Sequence, residues 1–233
     1  MQEKPLLSVV MITYGHEKYI QEAIEGVFLQ KTDFLVELII ANDSSPDNSD
    51  EIIRETIKKA PENIIVKYTN HEKNKGMYVN SIWTLHQANG VYIAACEGDD
   101  YWTDENKLQQ QVDFLEKNKD FAISYHRVQY LKGTELAMLD HHRLKNEEKI
   151  STLEELSNTN FINTLSAVFR KNDLEIPDWF TYTSVGDYLL WLMICRKGKI
   201  HYSPKTMGVY RYGTGFHSSQ DAIATLSETN FSL

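Results

Sequence analysis

Cysteine is nearly absent from this chain: two in 233 residues, Cys96 and Cys195, each inside an apolar segment and in no metal-type spacing. A disulfide framework, a zinc site and thiol redox chemistry all lose support, and two buried free thiols are expected instead. Positive charge is scarce too. Lysine and arginine number 24 against 33 acidic residues, giving a formal charge of −9 and a pI near 5.4. That balance argues against a nucleic-acid partner, and an anionic ligand would need a cation supplied locally. No apolar run approaches the ~20 residues of a membrane-spanning helix. Met1-Gln2-Glu3-Lys4-Pro5 does not lead a basic region into an apolar one, so a cytoplasmic location is expected. Internal repeats and low-complexity tracts are also missing. What is present is 42% hydrophobic residues, too many for a disordered chain and enough at this length for one large α/β domain.

Leu7 to Thr13 is a short apolar run ending in Tyr14-Gly15-His16, after which Ile20, Ala23, Ile24, Val27 and Phe28 recur at helical spacing. The unit of strand, loop and helix then repeats. Val36 to Ala41 is apolar, Asn42-Asp43-Ser44-Ser45-Pro46-Asp47 is turn-rich, and Ile52, Ile53 and Ile57 mark a helix for which Ser45-Pro46 suits the N-cap and first position. Ile64 to Tyr68 makes a third strand, followed by a turn over Asn70 to Gly76 and a helix over Val79 to Gln87. Val91 to Cys96 makes a fourth, followed by a helix carrying Leu108, Val112 and Leu115. Alternation of this kind implies a mostly parallel sheet covered on both faces, with ligands beyond the carboxyl ends of its strands. Thr13, Asp43 and Asp99 each follow an apolar strand, so they can converge on one crevice.

After Lys119 the pattern changes. Phe121 to Leu131 alternates like a strand, and Lys132 to Asn160 is polar and weakly periodic, a loop with a short helix. It reads either as a cover or second-substrate contact for the crevice or as a surface excursion. Leu165 to Arg170 and Ile200 to Tyr212 have strand character, and Asp187 to Cys195 is apolar on nearly all sides, as a buried helix would be.

The run Cys96-Glu97-Gly98-Asp99-Asp100-Tyr101-Trp102 puts three carboxylates within four residues at the end of the fourth strand. Acids so close repel one another unless a cation offsets them, and Mg²⁺ or Mn²⁺ prefers oxygen ligands of this kind. The other reading is an acidic turn in which Thr103, Asp104 and Glu105 begin the next helix.

Five segments taken together carry a further signal: Ser8-Val9-Val10-Met11-Ile12-Thr13-Tyr14, Leu38-Ile39-Ile40-Ala41-Asn42-Asp43-Ser44-Ser45-Pro46-Asp47, Asn74-Lys75-Gly76, Glu97-Gly98-Asp99-Asp100 and Gly186-Asp187-Tyr188-Leu189-Leu190-Trp191-Leu192. In order and spacing they resemble the family 2 glycosyltransferases of bacteria, over about residues 6 to 220. The resemblance implies an α/β chain with the A-type glycosyltransferase fold, a mostly parallel Rossmann-like central sheet with helices on both faces. It implies one domain over 1–215, with a nucleotide-sugar-binding half (1–119), a half for the acceptor and the catalytic base (120–215), and a tail over 216–233.

The family's site residues fall on positions that make chemical sense. Thr13, Tyr14 and Asp43 match the positions that hold the donor's base and ribose; a carboxylate can accept the N3–H of uracil, and a phenol ring can pack on its face. For Asp43, a local turn or helix cap is the plainer reading of Asp-Ser-Ser-Pro. Gly76 and Asn80 are placed on the donor side with Glu97 and Asp99. Asp99 and Asp100 match the ligands of a divalent metal, Mn²⁺ or Mg²⁺, which His217 completes; a surface histidine is the alternative for His217. Asp187 matches the general base that takes the proton of the acceptor hydroxyl, although an aspartate in a first helical turn also serves the helix dipole. Gly15, Asn42, Glu97 and Ser81 depart from the residues common in the family and leave the donor open. Trp83, Trp102, Trp179 and Trp191 can stack on sugars or fill the core, and only Trp102 lies beside the acids in sequence.

The implied protein is an inverting, metal-dependent enzyme that moves a sugar from a nucleotide-diphosphate donor, UDP-linked, to a hydroxyl of a surface glycan or lipid-linked acceptor. A lipid-linked acceptor would bring it to the inner face of the membrane, where His141-His142-Arg143-Leu144-Lys145 can touch phosphates, a solvated loop being the plainer reading of that segment. The alternatives are a non-catalytic nucleotide-sugar-binding module, and a nucleotidyltransferase, for which the Gly-rich basic loop is missing.

Overall fold

β1 (Leu7–Thr13) and β2 (Val36–Asn42) are buried along almost their whole length, as strands covered on both faces must be. They pair in parallel with Thr13 opposite Asn42. β3 (Ile64–Asn70) continues the parallel sheet beyond β2, and β4 (Tyr92–Ala95) lies on the other side of β1. The structure, a computed structural model, describes residues 4–137, 146–171, 174, 176–182 and 186–214. Beyond β4, β9 (Val168–Arg170) runs antiparallel between β4 and β6 (Phe121–Lys132), while β10 (Lys199–Arg211) is parallel to β6. The short β5 (Tyr101–Trp102) completes the order β3-β2-β1-β4-β9-β6-β10-β5 by pairing antiparallel with β10. β7 (Glu135–Ala137) and β8 (Lys149–Ser151) pair with β6 and β10. The expected α/β architecture holds, with β9 as a reversed strand that apolar patterning cannot distinguish from a parallel one.

Alternate residues of β1 feed two cores. Leu7, Val9 and Met11 meet α1 (Ile20–Phe28), α2 (Ser49–Thr56) and α4 (Lys107–Lys117) on one face. Val10, with Ile39, Ile93 and Phe169, meets α3 (Met77–Gln87), α5 (Leu153–Asn158) and α6 (Gly186–Cys195) on the other. Cys96 and Cys195 are buried free thiols. Among the described residues no helix is long and apolar enough to cross a membrane.

Two helix starts differ from expectation. α2 begins at Ser49 rather than at Pro46, because Asn42 Oδ1 takes both the backbone N–H (3.1 Å) and the hydroxyl (2.5 Å) of Ser45, and Ser44 is left-handed at φ 61°. α4 begins at Lys107 because the Thr103 N–H goes to Met207 and Asp104 accepts the Asn106 N–H at 2.8 Å. The polar stretch after β6 contributes β7, β8 and α5, while His141 to Lys145 and the tail from 216 lie outside the described residues.

At the opposite end of the sheet from the crevice, the buried Glu37 accepts hydrogen bonds from Ser8 (2.5 Å), Lys67 (2.5 Å) and the backbone and side-chain amides of Asn89. Burial alone would raise its pKa, but these donors outweigh burial and hold it below the usual value of 4.5. Its contribution is therefore complete above pH ~4.5 and lost as pH falls through the depressed native value. Glu37→Gln, which cannot satisfy the same donors, is expected to cost about 3 kcal/mol at pH 7. Its melting temperature should fall less steeply than the wild type's below pH ~4.5 in a thermal-unfolding series. Parallel curves would remove Glu37 from the acid transition.

Candidate active site

The carboxyl end of β1 is the pivot of the crevice. On one side Asp43 donates its backbone N–H to the Thr13 carbonyl at 2.9 Å; on the other, Gly98 donates to Ile12 at 2.9 Å. Neighbouring strands lie ~4.8 Å apart, which sets Asp43 and Gly98 about 10 Å from each other across β1. Gly98 is required there. A methyl group on it would sit 2.7 Å from Thr13 Oγ1 and 2.9 Å from Ile20 Cδ1. The loop after β1 is held by the turn after β2, where Ser45, Ser49 and Asp47 accept the backbone N–H groups of Gly15 (3.0 Å), His16 (3.1 Å) and Glu17 (2.9 Å). Tyr14 is left 50% exposed at the tip of β1, with its ring available to a ligand.

Asp43 is buried, and its two oxygens accept the N–H groups of Lys75 (2.8 Å) and Gly76 (2.9 Å). It thus braces the third turn against the second strand, while the local turn bond expected of it is made by Asn42. Gly76 is the N-cap of α3 at φ 86°, a conformation that favours glycine. Asn80, expected on the donor side, is buried; its amide donates to the Ala41 carbonyl at 3.0 Å and its oxygen accepts from His71 at 2.9 Å, so it ties α3 to the end of β2.

Glu97, Asp99 and Asp100 each place a carboxylate oxygen within 4.8 Å of the others. Burial, then the Asp99 and Asp187 charges, push Glu97 up to about 8. Burial and the same neighbouring acids Asp99 and Glu97 raise Asp100 well above the carboxylate range. One Asp100 oxygen accepts the Arg211 N–H at 2.8 Å, whereas the other is buried with no partner among the described residues. An orphaned buried carboxylate oxygen aligned with two more acids fits a hard divalent cation.

Arg211 holds this loop in place. Its guanidinium lies between the rings of Tyr19 (4.9 Å) and Tyr101 (4.5 Å), donates to the Asp99 carbonyl at 2.6 Å and pairs with Glu22. The Thr214 hydroxyl reaches Asp99 at 3.0 Å, and His16 Nε2 is 4.0 Å from the same oxygen. Burial lowers the His16 pKa despite the pull of Asp99 and Asp47. His16, Glu22 and Thr214 were not singled out by the sequence, since each is a common residue in a loop or on an exposed helix face. His217 lies outside the described residues.

Asp187 stands in the first turn of α6, exposed, with its carboxylate accepting the Tyr188 N–H at 2.7 Å and approached by the Thr164 hydroxyl at 3.4 Å. Tyr78 brings α6 to the crevice. A methyl on Gly186 would sit 2.8 Å from the Tyr78 ring, so the start of α6 lies directly against the first turn of α3. Burial, then the charges of Asp187 and Glu97, raise the Tyr78 phenol, which places all three groups in one neighbourhood. Thr13 therefore neighbours Asp43 on one side and Gly98 on the other, Gly76 is bonded to Asp43, and Asp187 acts electrostatically on Glu97 of the acid trio. Trp102 does not line the crevice: the ring is buried, and its N–H donates to the Leu165 carbonyl at 2.8 Å.

Residues 8–176 match the profile described as Glycosyl transferase family 2, and the chain belongs to that family. An uncharacterized protein of Mycobacterium tuberculosis is 34% identical over 220 residues, covering 88% of this chain and 58% of that protein. TuaG of Bacillus subtilis, which carries the name of a putative teichuronic acid biosynthesis glycosyltransferase, is 29% identical over 199 residues, covering 84% of this chain and 74% of TuaG. Among solved structures, S. aureus TarS in complex with UDP-GlcNAc superposes with a TM-score of 0.72 at 21% identity, over 92% of this chain and 60% of that one. The mannosyltransferase PcManGT from Pyrobaculum calidifontis, in complex with GDP-Man and Mn²⁺, does so at 0.64 and 14% identity, over 94% of this chain and 60% of that one. These two likenesses show the shared fold. The chain spans 58% of the mycobacterial relative's length and 60% of the TarS chain.

Proposed function

We propose that this protein transfers a sugar from a nucleotide-diphosphate donor, UDP-linked, to a hydroxyl of a surface glycan or lipid-linked acceptor, with inversion at the anomeric carbon and dependence on a divalent cation. The observation that carries the reading is the gathering of Asp43, the acid trio and Asp187 around the end of β1. The nucleotide sugars held by TarS and PcManGT, and the Mn²⁺ of the latter, support it by analogy.

On the donor side, Asp43 keeps acceptor capacity beyond its bonds to Lys75 and Gly76, enough for the N3–H of uracil, and the exposed Tyr14 ring can cover the base. Asp99 and Asp100, with Glu97, would hold the cation; when bound, Mn²⁺ or Mg²⁺ supplies Lewis-acid stabilisation of the charge that grows on the departing nucleoside diphosphate. Arg211 and Thr214 fix the Asp99 loop. Asp187 takes the acceptor's proton as that oxygen bonds to the anomeric carbon and the bond to the diphosphate breaks on the opposite face, the electron pair leaving with the nucleotide. Thr164 and the Tyr188 N–H keep the Asp187 carboxylate oriented meanwhile. A lipid-linked acceptor would set the protein at the inner face of the cell membrane.

A screen of nucleotide sugars with Mn²⁺ tests the reading. At a hundredfold excess over Kd the matching donor should stabilise the fold by about 2.7 kcal/mol, a melting shift of about 5–10 °C, abolished by EDTA. The same donor should be slowly hydrolysed. Stabilisation without turnover, even in the presence of acceptors, would reduce the protein to a binding module, and no shift with any donor would end the proposal.

A further inference from the structure

On the reaction proposed above the acceptor lies beside Asp187, and one exposed aromatic side chain sits on the segment that leads into the helix of that residue. Three of the four tryptophans are accounted for: Trp102 and Trp191 are core, and Trp83 meets His71 edge-on at 4.7 Å. Trp179 is 55% exposed. It sits on the short 3-10 helix Asp178–Tyr182, just ahead of α6 in the chain. Its neighbour Phe180 is buried and comes within 3.7 Å of a methyl built on Gly186, the residue before Asp187. The Trp179 and Phe180 ring centres are 6.2 Å apart, with planes inclined at 36°. Phe180 therefore packs the segment against the start of α6, and the exposed Trp179 indole is carried on that anchored turn, one residue from the ring that meets Gly186.

The chemistry of an exposed indole selects a ligand class. A pyranose offers a ring face of C–H groups and an edge of hydroxyls, so it can lie on a half-exposed indole while its hydroxyls stay hydrated. A nucleobase would also stack on an indole, but the base side of the crevice is at Tyr14 and Asp43, across β1. We infer that Trp179 is the stacking platform for a pyranose ring of the acceptor, setting that ring so that its neighbouring hydroxyl meets Asp187. The inference rests on the transfer reaction proposed above and adds the class of acceptor and the residue that seats it.

The test compares wild type, Trp179→Ala and Trp179→Phe, using the nucleotide sugar that stabilises the wild type, Mn²⁺ and a panel of nitrophenyl pyranosides as acceptors. Transfer to water is followed separately as donor hydrolysis. Trp179→Ala should lose tenfold or more in kcat/KM for the pyranoside, mostly through KM, with donor hydrolysis, donor-induced melting shift and intrinsic melting temperature unchanged. Trp179→Phe, which keeps a stacking face, should recover most of the loss. Equal pyranoside transfer by Trp179→Ala overturns the inference, as does a parallel loss of donor hydrolysis. A wild type that hydrolyses donor but accepts no pyranoside overturns it as well. If the wild type neither binds nor hydrolyses any nucleotide sugar, the transfer reaction itself fails and takes this inference with it, a result visible before any Trp179 variant is made.

Discussion

An Asp187→Asn protein is expected to bind nucleotide sugar and Mn²⁺ with unchanged affinity and to transfer sugar about 10²- to 10⁴-fold more slowly. Asparagine keeps the volume and one carbonyl oxygen, so the bond from the Tyr188 N–H survives, as does the packing of Gly186 on Tyr78. What it removes is the capacity to accept a proton. Melting shifts with donor and turnover with acceptor measure the two quantities separately. Transfer at the wild-type rate would leave Asp187 as a first-turn residue that merely suits the helix dipole.

Asp100→Asn should change stability in opposite directions with and without metal. In EDTA, burial and the neighbouring acids force Asp100 to take up a proton on folding, a cost asparagine does not carry, so the variant should have the higher melting temperature while its amide oxygen still accepts the Arg211 N–H. With Mn²⁺ the order should reverse: the wild type gains stability and donor affinity, whereas the variant gains neither and binds donor at least about 100-fold more weakly. Asp99→Ala should likewise lose metal-dependent donor binding. The pH dependence has the matching sign. Because Glu97 is raised from 4.5 to about 8 in the fold, the metal-free protein should lose stability as pH climbs across that interval, the unfolded chain having released the proton first. Urea titrations at pH 5 and pH 8 in EDTA would measure it. If Asp100→Asn were less stable than wild type in EDTA, the acids would be a structural turn after all.

Much of this was legible because the sheet's parallel half is built from local units. The apolar runs of β1 to β4 and the turns after them fix which residues emerge at the carboxyl ends, so Thr13, Asp43 and the acid trio could be placed from periodicity and topology. The reversal of β9 was not legible, since three residues carry no record of direction. Neither was the task of Asp43, whose partners lie 32 and 33 residues away, nor that of Asn80, because a buried amide and a ligand-binding one look alike in a sequence. Among the tryptophans, proximity along the chain pointed to Trp102 as the crevice aromatic, and burial assigns that residue to the core. Trp179 is the exposed one, a property that depends on how a 3-10 turn packs.

The anchoring of the Asp99 loop by Arg211 joins partners 112 residues apart, and the β5 strand beside it is completed only by Gly208 and Val209. During synthesis, the acids therefore emerge long before the strand that aligns them. A nascent chain that has not yet reached residue 211 has the charge of the acidic loop without its anchor. Copies cut short of Arg211 carry three neighbouring acids with neither the guanidinium nor the strand that sets them in place.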